Sequence, residues 1–177
     1  MVAAEAGLMC SGTDLVSLLA IEPRPLFELR YASPYNFLGE TLDATLEPRL
    51  RCPVALALQQ VQRDLAVEGL GLKVWDAVQD ERYVSNPAVN AGRHTRGTSV
   101  EVTLVDRLGN ERPLPTTFDD FSPAAHVEAP GTSPVTAANA RRLRAAMERR
   151  GFVSLDTEWW HFDWHDWRSL PVVDGGS

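Results

Sequence analysis

Two stretches of this chain carry side chains that could do chemistry together. "GRHTRGTSVEVTLVD" (Gly92 to Asp106) sets His94 in a turn rich in glycine and arginine, with Glu101 in the strand-like run that follows. "SLDTEWWHFDWHDW" (Ser154 to Trp167) gathers four of the five tryptophans, two of the four histidines and four carboxylates, Glu158 and His161 among them. A turn and its following strand can aim an imidazole and a carboxylate at one point. With His161 they supply two nitrogens and one oxygen, the ligand set of a catalytic zinc that keeps its fourth position for water. Glu158 would then serve as general base, because a carboxylate beside the ligands can reach the water without ligating. Spacing alone does not single these residues out, since H-x6-E and E-x-x-H both arise often by chance. Trp159 and Trp160 pose a separate question. Neighbours in a strand point to opposite faces, so both cannot serve one core without something unusual on the other side.

The elements that must position these groups follow from pattern. "LFELRYA" (Leu26 to Ala32) alternates apolar and polar residues and predicts a strand, followed by the turn-like "SPYNFLGE". "PVALALQQVQRDLAVEG" (Pro53 to Gly69) has proline in a first helical turn, apolar residues at three-to-four spacing and a glycine stop. "LGLKVWDAV" and "TSVEVTLVD" (Thr98 to Asp106) read as strands, the second ended by the hairpin-type "RLGNE". "SPVTAANARRLRAAMERRG" (Ser133 to Gly151) is a second helix, and "TEWWHFDW" the last strand. The order predicts an α+β domain with a mainly antiparallel central sheet and flanking helices. Residues 1–25 read as a loosely packed lead-in, 26–170 as one domain and 171–177 as a tail.

Composition limits the function. A chain of 177 residues, 44% hydrophobic, supports one substantial core but not two comfortable ones. A net charge of −7 leaves no basic footprint for nucleic acid or an anionic membrane. The arginines of "ARRLRAAMERR" sit at helical spacing and read as a solvated face. Cys10 and Cys52 are too few for a disulfide framework and lack C-x-x-C spacing, so they predict a reducing compartment, by default the cytoplasm. No apolar run approaches membrane-spanning length.

Beyond the two motifs, "ELRYASPYNFLGE", "GLGLKVWDA", "TTFDDFSPAAH" and "RRLRAAMERRGF" fall in an order that resembles the zinc D-alanyl-D-alanine dipeptidases of the vancomycin-resistance type. The resemblance runs from about residue 26 to 164 and implies the fold of zinc DD-peptidases and a small peptide substrate of cell-wall chemistry. It implies zinc ligation for His94, Glu101 and His161 and a general acid/base role for Glu158. Asp119 resembles the carboxylate that holds the substrate's ammonium, with Asp120 as its competitor, and Tyr31 and Trp159 resemble substrate contacts. The plainer reading of Trp159 and Trp160 is core and rim, and that of His126 and His165 is surface.

Three departures stand out. Glu101 replaces the family's Asp. The path from Asp76 to His94 is much shorter and lacks the family's active-site arginine; Arg82, Arg93 and Arg96 are the candidates to replace it. Gly92 stands where the family has a substrate-contacting serine. These changes imply weakened turnover and a more open cleft. The rival readings are an inactive binding protein and an enzyme acting on a larger substrate, such as a biosynthetic intermediate.

Overall fold

A computed structural model describes residues 7–77 and 93–173. Five strands form the main sheet, in the order β2 (Leu26–Phe27), β4 (Leu70–Asp76), β5 (Ser99–Asp106), β7 (Glu158–Trp164) and β6 (Phe152–Leu155). The β2–β4 pair is parallel and the rest antiparallel. A two-stranded sheet joins β1 (Leu15–Ser17) to β3 (Arg49–Arg51). The expected α+β architecture is therefore present.

Helix α1 (Cys52–Val67) carries Pro53 in its first turn and turns its apolar stripe, including Val54, Leu58, Val61 and Leu65, fully inward. Helix α2 (Pro134–Glu148) is capped by Ser133, whose hydroxyl accepts from the Thr136 amide, and buries Leu143, Ala146 and Met147. These side chains share one core with Leu72, Val74, Val102, Leu104 and Phe162 of the sheet. Each fully buried leucine or phenylalanine contributes about 1.5–3 kcal/mol. The arginines of α2 stay outward, Arg142 meeting Glu68 and Arg144 meeting Glu148, as their spacing predicts. None of the described helices is long and apolar enough to cross a membrane.

Three expectations are corrected. The lead-in is not loose: Leu18 and Ile21 are fully buried, Leu8 nearly so, and β1 supplies one edge of the small sheet. "LFELRYA" is not one strand, because pairing with β4 stops at Phe27 and Arg30–Ala32 closes a 3-10 turn. That turn carries Tyr31 into the core, which its alternation does not reveal. Finally, Cys10 and Cys52 are bonded to each other, tying the N-terminal segment to the start of α1. The inference of a reducing compartment rested on unpaired thiols and loses that support. Beyond residue 170 the chain touches the segment around Thr95, the Val173 amide donating to the Thr95 carbonyl.

Candidate metal centre and substrate cleft

The central strands place acids and a histidine in a row. Glu101 on β5 pairs directly with His161 on β7, and Asp76 on β4 pairs with Glu101 from the other side. Residues opposite each other in an antiparallel pair share a face, so this register brings the three side chains together. His94 reaches them from the 3-10 turn His94–Arg96, which ends at Gly97 with a left-handed φ of 70°. An added Cβ at Gly97 would lie 2.6 Å from a Leu15 methyl, so the turn is seated directly on β1.

His161 Nδ1 lies 3.3 Å from Glu101 Oε1, and His94 Nε2 lies 3.9 Å from the same oxygen. One ligand atom each from His94, Glu101 and His161 fall within 4.8 Å of one another. Glu101 Oε2 is buried with no hydrogen-bond partner among the described residues. A buried carboxylate with one oxygen orphaned and the other facing two imidazoles is costly unless a cation completes it. The N2O donor set suits a borderline divalent ion such as zinc. The residues present therefore fit a metal ion.

Electrostatics act in opposite directions on the two histidines. Burial pushes the His94 imidazole down to about 4, against the pull of Glu101, so it is neutral and ready to ligate. Burial also opposes charge on His161, but the Asp163 and Glu101 carboxylates outweigh it and push the ring up to about 10. Asp163 Oδ1 accepts from His161 Nε2 at 2.9 Å and from Ser99 Oγ at 2.6 Å. Although buried, Asp163 is held well below the usual carboxylate range by its bond to His161 and the charges around it.

Glu158 opens β7. The β6–β7 register jumps there: Ser154 faces Phe162, while the next residue, Leu155, faces Glu158. The extra β7 residues form a bulge that breaks strict alternation, and bulges re-aim side chains beside sites. Trp159 and Trp160 lie in it, both buried, ring centroids 5.5 Å apart and perpendicular. Trp75, Phe118 and Phe121 pack around the pair, which is how both find apolar surroundings. Burial pushes the Glu158 carboxyl above its ordinary value, with Glu101 and Asp163 adding to the shift against His161.

A cleft of about 770 Å³ is lined by Trp75, Thr103, Phe118, Asp119, Trp159 and Arg30, among others. Asp119 adopts a left-handed φ of 59°, a strained conformation for a residue other than glycine. Its Oδ2 accepts from the Tyr31 hydroxyl at 3.5 Å and the Phe37 amide at 3.3 Å. Burial, aided by the charge of Glu101, pushes this carboxyl up to about 7. Asp120 instead accepts from the Ser122 amide in its own loop and does not line the cleft. Trp159 lines the cleft, with Nε1 donating to Thr116 Oγ1 at 3.0 Å.

Other candidates lie elsewhere. Arg93 bonds Asp163, and Arg96 donates to the Leu170 carbonyl beside Trp167, so neither extends into the cleft. Arg82 and Gly92 fall outside the described residues. His126 and His165 are exposed, as their lack of companions predicts. Asp163 and Ser99 escape a reading of motifs, although H-x-D within a strand does put both side chains on one face.

Residues 78–171 match the peptidase family described as D-ala-D-ala dipeptidase. The D-alanyl-D-alanine dipeptidase of Escherichia coli strain K12 is 30% identical over 178 residues, spanning 93% of this chain and 92% of that protein. Those of Enterococcus faecium and Streptomyces coelicolor are 29% and 28% identical, each spanning 77% of this chain and 84% of its own.

Proposed function

Since the chain belongs to the D-alanyl-D-alanine dipeptidase family, we propose that it is a zinc-dependent dipeptidase of D-alanyl-D-alanine or a related small peptide. The observation that carries the reading is the convergence of His94, Glu101 and His161, with the second oxygen of the buried Glu101 carboxylate left unsatisfied. Zinc, when bound, makes a water acidic enough to attack a carbonyl near neutral pH. The protein's own groups do the rest. Glu158, its proton affinity raised by burial, accepts the proton released by the attacking water and delivers it to the leaving amine. Asp119 holds the substrate's ammonium, and Tyr31 fixes Asp119 through its hydroxyl. A free amino terminus is thereby selected over an internal peptide bond. Trp159 contributes a wall of the cleft.

A second reading, action on bulkier free-amine peptides, is favoured by the cleft. Its volume of about 770 Å³ lies in the range of about 300–1,000 Å³ that accommodates drug-sized ligands. With Arg93 and Arg96 engaged elsewhere, turnover is slowed by the factor of about 10²–10³ that loss of one oxyanion donor costs unless Arg30, which lines the cleft, supplies that donor. The Cys10–Cys52 bond favours an oxidising compartment over the cytoplasm.

Metal analysis of protein purified without chelator tests the centre: one zinc per chain is expected, lost in His94→Ala and His161→Ala. Metal content unaffected by both substitutions would mean the site is wrong. Glu158→Gln should keep its zinc and lose hydrolysis of D-alanyl-D-alanine, because an amide cannot accept the proton. Loss of metal in that variant would make Glu158 a ligand instead.

A further inference from the structure

His94 comes from a turn and His161 from a strand, and something must hold the two elements in fixed relation. Main-chain pairing fixes Glu101 against His161, but the turn lies outside that ladder. A side-chain link spans the gap besides the contact between the two histidine rings themselves. Arg93, immediately before His94, places its guanidinium on Asp163 Oδ2, and Asp163 Oδ1 takes Nε2 of His161. Ser99 Oγ fills the remaining approach to Oδ1, so both oxygens of this buried carboxylate are engaged. Arg93 is braced in turn: its guanidinium lies 5.4 Å over the Trp167 ring, and its carbonyl accepts from Thr98 Oγ1 at 2.8 Å.

The direction of this link matters. Asp163 meets Nε2 of His161, whereas Glu101 lies at Nδ1, and Asp163 is not one of the converging donors. A carboxylate bound to Nε2 keeps a proton there and stops the ring from rotating, so Nδ1 is the nitrogen that gives up its proton when a metal binds. Resting on the metal-centre reading above, we propose that Arg93 and Asp163 form a positioning pair, fixing the tautomer of His161 and the distance between the two histidines. The site's affinity for a divalent metal then depends on two residues that never touch the ion. Asp163 gains an anion's grip on the ring, and Arg93 offsets the charge that a buried carboxylate would otherwise carry unpaired.

The test is zinc affinity of the full chain by chelator competition, with the cobalt-substituted visible spectrum as a second readout. Asp163→Asn should weaken zinc about 10–100-fold, the usual consequence of losing such an outer partner, and should shift the cobalt bands. A merely structural role for Asp163 would lower thermal stability while leaving the cobalt spectrum of the folded fraction unchanged. Arg93→Ala should weaken zinc and Arg93→Lys should restore part of the loss. Should Asp163→Asn not fold, Ser99→Ala removes one bond to the same carboxylate and should give a smaller loss of affinity. Wild-type affinity and spectrum in folded Asp163→Asn, or in Ser99→Ala and Arg93→Ala together, would overturn the proposal. Failure of the wild-type chain to bind metal through His94 and His161 would instead overturn the metal-centre reading.

Discussion

Asp119 shows what a single residue's surroundings do to its chemistry. A carboxyl that ionises near pH 3.9 in an open chain is pushed to about 7 here by burial and by Glu101. Between those two values the folded state holds a proton that the unfolded chain has released. Stability therefore falls as pH rises through that window, and the charged form is carried at a cost above it. Binding runs the other way, because only the carboxylate pairs with an ammonium. Affinity for a free-amine dipeptide should climb as pH rises through about 7, and KM measured on either side of that value reads it. Asp119→Asn should flatten this dependence and lower kcat/KM by about 2–5 kcal/mol, the cost of removing one partner of a buried charge pair. A KM that ignores both pH and the substitution would remove Asp119 from the substrate's ammonium. Asp119 was legible by residue type and resemblance. What separates it from Asp120 is backbone conformation: Asp119 has a positive φ and lines the cleft, while its neighbour sits in an Asx turn. No pattern of residue types carries that information.

At the scale of elements, periodicity explains what could be read in advance. Helices α1 and α2 and strands β4, β5 and β7 each run long enough to repeat their apolar pattern, and each lies where that pattern puts it. Strands β1 and β3 have three residues apiece, too few to show a period, and they escape it. Yet these short strands are what the His94 turn rests on. The Arg51 amide donates to the Gly97 carbonyl, and Arg51 Nε donates to the Arg96 carbonyl. Gly97→Ala should be destabilising by more than about 1 kcal/mol, since alanine fits poorly at positive φ and its methyl would strike Leu15. Thermal unfolding and zinc titration should both register the change, because the strained turn carries a histidine. Unaltered stability would mean the turn can relax away from β1 without consequence.

Across the whole molecule, the N-terminal segment belongs to the machinery that holds the site. Residues 8–21 give Leu8, Leu18 and Ile21 to the core, pair through β1 with β3, and are bonded covalently to the first residue of α1. The Cys10–Cys52 link closes a loop with a sequence separation of 42. Constraining a loop of this order in the unfolded chain stabilises the native state by about 2–4 kcal/mol. The same segment seats Gly97 and, through it, His94. Loss of the disulfide should therefore reach the metal centre as well as global stability. Replacing both cysteines by serine is expected to lower the unfolding free energy by about 2–4 kcal/mol and to weaken zinc retention in a chelator challenge. The metal itself offers a partial remedy, since an ion bound only by the folded state stabilises that state in proportion to the logarithm of its concentration. Excess zinc should then recover part of the lost melting temperature in the double variant. A double variant with wild-type melting temperature and zinc retention would show that β1 and its core leucines hold the turn without the covalent tie.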